Sequence, residues 1–148
     1  MARNNIPAAI AHVSGGESYP ELRGTVRFFP RCQGTLVVAD IRGLPNSETS
    51  FFAFHIHESG DCQGSGFPNT GGHYDPEEKV HPLHAGDLPP LLSDNGRAYS
   101  QVLTSRFRVR DIIDKTVVIH AGPDDFTTQP SGNAGKKIAC GVIHRTTA

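Results

Sequence analysis

Six of the chain's eight histidines lie between positions 55 and 120, and histidine is the commonest metal ligand among side chains. The first pair, His55 and His57, stands in an otherwise apolar segment. Alternate residues of a β-strand share a face, so a strand here would place both imidazoles side by side and turn Phe52, Phe54 and Ile56 towards a core. We therefore predict a pair of ligands for one ion, with two exposed polar residues on an edge strand as the alternative.

Three more histidines and an aspartate fall within fifteen positions that carry no strand pattern: His73, His81, His84 and Asp87. Imidazole and carboxylate together are typical of a tetrahedral Zn²⁺ site, whereas an ordinary solvated loop is the alternative. The sixth histidine, His120, ends an apolar segment. A lone histidine in that place is more often structural than a ligand, and only the other five lead us to predict a metal-binding role for it.

The elements that would position these residues are strands. Short alternating or β-branched segments recur between turn residues, and no segment has a sustained helical period, which favours an all-β sandwich or barrel. The predicted strands are residues 8–13, 21–29, 35–42, 51–57, 98–104, 116–120 and 137–143. We expect a further short strand or a turn within residues 106–115.

Two long segments without a strand pattern, residues 58–97 and 121–136, are predicted to be loops. Loops of this length in a compact domain are usually functional or disordered, and a bound metal would explain how the first one stays ordered. Residues 88–92 of that loop carry two consecutive prolines, which would stiffen the connection after His84.

Length and composition narrow the class of protein. The 148 residues suit one domain, residues 1–148, and 16 glycines and 11 prolines spread along the chain indicate many loops. A net charge of −1 without runs of like charge argues against binding to nucleic acid or to a membrane surface. No segment reaches the ~18 apolar residues of a spanning helix. No secretory leader is evident, so we expect a cytoplasmic protein, with an exported mature form as the alternative.

Five segments resemble, in order and spacing, successive motifs of the copper–zinc superoxide dismutase family. They are FHIHE at 54–58, GGHYDP at 71–76, HAGDL at 84–88, VIH at 118–120 and GNAGKKIACGVI at 132–143. The resemblance implies a Greek-key antiparallel β-sandwich or flattened barrel of immunoglobulin-like architecture. It also implies dismutation of superoxide to O₂ and hydrogen peroxide by a redox-cycling copper, with a zinc ion bridged to it through a shared histidine.

The resemblance also divides the candidate ligands between the two metals. The implied copper ligands are His55, His57, His73 and His120. The implied zinc ligands are His73, His81, His84 and Asp87, so that His73 would bridge the two ions. Asp124 matches the carboxylate that lies behind ligands of both metals, and such outer partners fix ring orientation and ligand basicity.

Three cysteines, Cys32, Cys62 and Cys140, allow at most one intramolecular disulfide. The resemblance implies that Cys62 and Cys140 form it, which would close a loop of roughly 80 residues and stabilise the fold by about 4–5 kcal/mol in the chain-entropy model. Two reduced, buried thiols are the alternative. Cys32 matches no role in the family, and we expect it to be a small buried apolar residue.

Lys137 departs from the family pattern. The family usually has an arginine three residues before the second disulfide cysteine, beside the copper, and here that residue is lysine. Lysine keeps the charge but lacks the planar fork of donors, so we expect retained activity with weaker docking of the anion. Residues 121–136 match the loop that guides superoxide to the copper. The alternative to a role in docking the anion is that Lys136 and Lys137 are two solvated charges.

The implied substrate is superoxide and the implied cofactors are Cu and Zn. A homodimer and a copper-donor protein are expected as partners, and the apolar residues 141–143 would belong either to the dimer interface or to the core. Two other functions compete with the enzyme: a copper-delivery or metal-buffering protein of the same fold, and a zinc-only structural domain. The complete set of copper positions and the anion-guiding loop argue against the first, and His55, His57 and His120 would have no use in the second.

Overall fold

The computed structural model describes residues 6–146, which form eight antiparallel strands in one nearly closed, barrel-shaped sheet together with one short helix. The strands are β1 (Ala9–Gly15), β2 (Arg23–Arg31), β3 (Gly34–Arg42), β4 (Phe51–His57), β5 (Asp87–Leu92), β6 (Ala98–Thr104), β7 (Thr116–His120) and β8 (Lys137–Arg145), and the helix is α1 (Val109–Ile112). The predicted all-β class is therefore confirmed.

The strand order in the sheet is β5-β4-β7-β8-β1-β2-β3-β6. Because β3 pairs with β6 and β4 with β7, long connections carry the chain between strands that are distant in sequence, as in a Greek key. The two end strands, β5 and β6, lie near each other and leave a seam where the barrel does not close by hydrogen bonds. The segment that leads into β5 carries the predicted zinc ligands, so this seam borders the site.

Apolar side chains at alternate positions of the strands fill the barrel. In β4, Phe52, Phe54 and Ile56 are buried in the main core cluster, as the sequence predicts. Val117 and Ile119 of the neighbouring strand β7 belong to the same cluster. The intervening side chains of both strands point to the opposite face of the sheet, and the candidate copper ligands of these two strands are among them.

The sequence pattern predicts no strand within residues 58–97, yet Asp87–Leu92 forms β5. Proline lacks the N–H that a central strand needs and is confined to edge strands. Pro89 and Pro90 are tolerated because β5 pairs only with β4. The prediction that residues 88–92 form a loop connection is therefore wrong. These residues form a strand because they pair with β4, and the two prolines hide this from the sequence pattern.

Residues 106–115, expected to contain a strand or a turn, contain the one-turn helix α1 instead. Val109 and Ile112, three positions apart, lie on one helix face and are both buried. The backbone N–H of Arg108 donates to Asp111 Oδ2 at 2.9 Å, which stabilises the first turn. A helix this short has no sustained hydrophobic period, so the sequence pattern does not reveal it.

Cys62 and Cys140 form a disulfide that joins the segment after β4 to β8, which confirms the pairing implied by the resemblance. Cys32 is exposed, so the expectation of a buried side chain is wrong. It lies in the two-residue connection between β2 and β3, and side chains of such a tight hairpin turn project into solvent.

Candidate metal centre

Four histidines from three parts of the chain meet on the outer face of β4. His55 and His57 lie on β4 and His120 ends the neighbouring strand β7, while His73 belongs to the loop before β5 and forms a backbone bridge with His57. One ring nitrogen of each histidine lies within 4.8 Å of the nitrogens of the other three. The structure therefore brings together all four residues predicted to bind copper.

These rings are not the exposed polar residues of an edge strand. His55 is 0% and His57 3% exposed, because the loops before β5 and after β7 fold over this face of the sheet. The loop before β5 runs along the end of β4, where the N–H of Glu58 donates to the carbonyl of Gly72 at 2.9 Å. The alternative weighed for the His55 and His57 pair is thus wrong.

Hydrogen bonds behind two of these rings determine which nitrogen carries the proton. His57 Nδ1 donates to the carbonyl of Gly71 at 2.8 Å, and His120 Nδ1 donates to that of Gly135 at 3.1 Å. In a neutral ring the other nitrogen then carries a lone pair. These two lone pairs, on His57 Nε2 and His120 Nε2, face each other at 3.3 Å. Like partial charges at this distance repel each other, so the arrangement fits a cation between them.

Burial keeps the rings of His55, His57 and His120 neutral by lowering the pKa of each. It lowers the pKa of His57 to about 3 and that of His120 to about 4, with nearby histidines and Lys137 lowering them further and the carbonyl hydrogen bonds opposing the change. Burial and the neighbouring histidines also lower the pKa of His55. Neutral imidazole is the form that ligates a metal, so these rings need not lose a proton at neutral pH before they bind one.

Three buried imidazole nitrogens make no hydrogen bond within residues 6–146: His55 Nδ1, His73 Nε2 and His81 Nδ1, although Asp87 Oδ2 lies 3.0 Å from the last. Native proteins leave few buried polar atoms unsatisfied, because each costs about 1–3 kcal/mol. All three belong to the clusters in which metals are predicted. Their lone pairs, which accept no hydrogen bond, therefore fit metal ions at these positions.

The four residues predicted to bind zinc form a second cluster, which shares His73 with the first. Asp87 is its centre: Oδ1 lies 2.8 Å from His73 Nδ1, and Oδ2 lies 3.0 Å from His81 Nδ1 and 3.2 Å from His84 Nδ1. Burial opposes ionisation of Asp87, but the hydrogen bond with His73 and the charges of the three histidines lower its pKa overall. One carboxylate beside three imidazoles is a donor set that suits four-coordinate zinc.

The two clusters overlap more than the sequence predicts. By mutual distance alone, His55 rather than His84 joins His73, His81 and Asp87 within 4.8 Å. His84 instead approaches two members of the set, with its Nδ1 3.3 Å from His73 Nδ1 and 3.2 Å from Asp87. The structure thus places every predicted ligand in one continuous group of side chains.

Asp124 joins the two clusters from behind. Its Oδ2 accepts a hydrogen bond from His55 Nε2 at 2.8 Å, and its Oδ1 accepts one from His81 Nε2 at 2.7 Å. Gly132 packs against this bridge with a φ of 74°, and a Cβ there would overlap Asp124 Oδ1. A single carboxylate therefore orients one ring of each cluster, and glycine is needed beside it.

Lys137 begins β8 opposite His120, which brings its ammonium close enough to His57 and His120 to lower the pKa of both rings. Nζ donates to the hydroxyl of Thr70 at 2.7 Å and to the carbonyl of Phe67 at 3.2 Å. Thr70 is fully buried, and partial burial lowers the pKa of the Lys137 ammonium. Lys137 is therefore not a freely solvated charge. The ammonium of Lys136 lies over the Tyr19 ring, 5.5 Å from its centroid.

Gln129 is a site residue that the sequence pattern does not reveal. Its Oε1 accepts from the backbone N–H of His81 at 2.9 Å, and its Nε2 donates to the His81 carbonyl at 2.7 Å. This pair of bonds fixes the loop 121–136 against the backbone of a predicted zinc ligand. Single glutamines are common in loops, so no motif marks this one.

Comparisons with known proteins agree on one family. The family model described as copper/zinc superoxide dismutase matches residues 22–143. A copper–zinc superoxide dismutase of Aquifex aeolicus is 38% identical over 149 residues, which cover 90% of this chain and 85% of the relative. That of Legionella pneumophila is 35% identical over 84% of this chain and 79% of its own. Among solved structures, a superoxide dismutase-like protein of Bacillus subtilis superposes with a TM-score of 0.76 at 26% identity, covering 89% of this chain and 95% of the other.

Proposed function

Because the chain belongs to the copper/zinc superoxide dismutase family, we propose that its two histidine clusters are the copper and zinc sites of that family. The chain is a superoxide dismutase: two superoxide ions and two protons give O₂ and hydrogen peroxide. Bound copper supplies the one-electron redox couple for this reaction, and bound zinc supplies a fixed positive charge. The protein's own residues bind the ions, guide the anion and handle the protons.

The copper set in this proposal is His55 through Nδ1 and His57, His73 and His120 through Nε2. The observation that carries it is the 3.3 Å approach of His57 Nε2 to His120 Nε2, since two neutral rings would not face their lone pairs without a cation between them. His55 belongs to this set because it shares the outer face of β4 with His57 and its Nδ1 has no other partner.

The zinc set is Nδ1 of His73, His81 and His84 together with the Asp87 carboxylate. His73 is then the shared residue: its Nδ1 lies beside Asp87, and its Nε2 has no protein partner among the described residues. His73 Nε2 would hold either the copper or a proton, so when it is not bound to copper it is the position from which a proton can pass on to form hydrogen peroxide. Asp124 keeps His55 and His81 in their tautomers by accepting hydrogen bonds from their Nε2–H groups.

Lys137 is the residue that would guide the substrate anion. Two of the three ammonium donors contact Thr70 and Phe67, which leaves one donor for superoxide. Its positive charge beside the copper set raises the local concentration of the anion. Lysine thus serves the role that resemblance implies for arginine, with one free donor in place of a fork.

The test is reconstitution with copper and zinc, followed by metal analysis and a direct assay of superoxide decay. We expect one copper and one zinc per chain with catalytic decay, loss of copper binding and activity in His57→Ala, and no change in His144→Ala, which removes an exposed histidine of β8. Two bound metals without catalytic decay would indicate a metal buffer instead. Binding of zinc alone would indicate a structural domain.

We also propose that the chain forms a homodimer through the β4–β5 edge of the barrel. Phe51 and Leu92 pair across these strands and are 41% and 58% exposed, and exposed apolar patches often mark interfaces. Residues 141–143 do not serve this role, because Ile143 is fully buried in the core. Sedimentation equilibrium should show a dimer that Leu92→Lys dissociates, and a monomeric wild type would refute the proposal.

The cytoplasmic location and the copper-donor protein stay predictions. No helix within residues 6–146 is long and apolar enough to cross a bilayer. The Cys62–Cys140 disulfide would need a specific reason to persist in a reducing cytoplasm. Fractionation of the native cells tests the compartment, and the copper content of the protein from donor-deficient cells tests the donor.

A further inference from the structure

The guanidinium of Arg106 contacts the backbone of the zinc-ligand segment at three positions. Arg106 follows β6 and reaches across the seam towards the segment that leads into β5. Its Nη1 donates to the carbonyl of Pro82 at 2.9 Å and to that of His84 at 3.2 Å, and it lies 3.5 Å from the carbonyl of Asp87. No motif of the sequence marks this arginine.

The three carbonyls belong to a single turn, residues 81–87, which supplies three of the four proposed zinc ligands. The ligand side chains of this turn are buried, with His81 2% and His84 7% exposed, whereas Arg106 is exposed. The carbonyls therefore converge on the guanidinium on the outer side of the turn, while the ligand side chains converge on the inner side. The curvature of the backbone at this turn decides whether those side chains reach one ion.

Arginine is suited to this contact. One Nη atom carries two hydrogens in a fixed plane, so it can serve two carbonyls at once, and hydrogen bonds from a charged donor are stronger than those from a neutral one. Because the side chain is exposed, water and salt screen its charge. Its effect on the site is therefore expected to come from the geometry it imposes on the turn and not from its electric field.

We propose that Arg106 is a positioning residue of the zinc site, which holds the turn 81–87 in the curvature that brings His81, His84 and Asp87 onto one ion. The inference rests on the proposed function, because it takes these residues as zinc ligands. Arg106 itself touches neither metal nor superoxide.

Three variants of the reconstituted, disulfide-bonded protein test this role. Arg106→Met keeps the aliphatic stem and removes the donors, and Arg106→Lys keeps the charge without the fork. Arg110→Ala is the matched control, since it removes an exposed arginine of α1 whose side chain makes no hydrogen bond or ion pair within the described part of the chain. Zinc and copper affinities are measured separately by chelator competition, and Co²⁺ loaded at the zinc site reports its geometry by visible absorption.

We expect Arg106→Met to weaken zinc binding by roughly tenfold and to change the Co²⁺ spectrum, with copper affinity unaltered. Arg106→Lys should lie between Arg106→Met and the wild type, and Arg110→Ala should match the wild type. Unchanged zinc affinity and an unchanged Co²⁺ spectrum in Arg106→Met would overturn the inference, as would an equal loss of both metals. A wild type that binds no zinc would instead contradict the proposed function.

Discussion

Four histidines of the proposed sites differ in which ring nitrogen makes a hydrogen bond to the protein. His57 and His120 use Nδ1 to donate to backbone carbonyls, whereas His55 and His81 use Nε2 to donate to Asp124. Each hydrogen bond fixes the tautomer and leaves the opposite nitrogen as a lone pair. The hydrogen bond of each ring therefore determines which of its nitrogens can serve as a ligand.

Lys137 allows a prediction at this scale. In Lys137→Arg, the guanidinium should still reach Phe67 and Thr70 while presenting further donors, so we expect kcat/KM for superoxide to rise roughly two- to fivefold. Tighter binding of azide to the loaded protein should accompany the rise. Pulse radiolysis at fixed ionic strength measures the first quantity. Lys79→Arg, at an exposed surface lysine, is the control, and an unchanged or lower rate in Lys137→Arg would contradict the prediction.

At the scale of elements, two strands supply part of the copper set and two loops complete the site. The loop before β5 contributes His73, His81 and His84 to the proposed sites, and the loop 121–136 contributes Asp124 and the Gln129 contacts with His81. The disulfide fixes the first loop to β8 at Cys140. The geometry of the site thus depends on how firmly these loops are attached to the barrel.

Removal of the Cys62–Cys140 disulfide should destabilise the fold. Cys62→Ser opens a covalent loop whose ends are 78 positions apart, and the chain-entropy model predicts that the free energy of unfolding falls by about 4–5 kcal/mol. Urea unfolding of the metal-free protein measures it. Cys32→Ser is the matched control, because this exposed cysteine is free. Equal stability of the two variants would show that the disulfide does not stabilise the fold.

At the scale of the whole molecule, one barrel separates an apolar core from a buried polar centre on the outer face of β4 and β7. Phe52, Phe54 and Ile56 of β4 lie in the core, and the alternate positions of the same strand hold His55 and His57. The same burial that orders the rings opposes their protonation. The stability of the metal-free protein should therefore depend on pH.

The direction of this dependence follows from the pKa values. The unfolded chain protonates its histidines below about pH 6.5, whereas folded His57 and His120 bind protons only near their pKa values of about 3 and about 4. The unfolded state then holds more protons, so stability is greatest above about pH 6.5 and is lost progressively as the pH falls towards 3–4. Urea unfolding of the metal-free protein between pH 8 and 4 measures the slope. The double variant His57→Gln, His120→Gln should give a shallower slope, and an equal slope would contradict the prediction.

Residue types and their spacing predicted the class of fold and the candidate ligands, and the resemblance to a family implied the disulfide pairing. Seven strands follow from alternation of apolar residues, which is a local property of the chain. The ligand residues follow from the chemistry of imidazole and carboxylate together with motifs that match a family in order and spacing. Each strand and each motif is contained in a few consecutive residues, so it can be found without coordinates.

The remaining features depend on contacts between parts of the chain that are distant in sequence. β5 is a strand because β4 pairs with it, and Cys32 is exposed because it lies in a tight turn. Gln129 and Arg106 contact the backbone of His81 and His84 from 48 and 22 positions away in the chain. Contacts of this kind depend on how strands and loops pack together, and no local pattern of residue types encodes them.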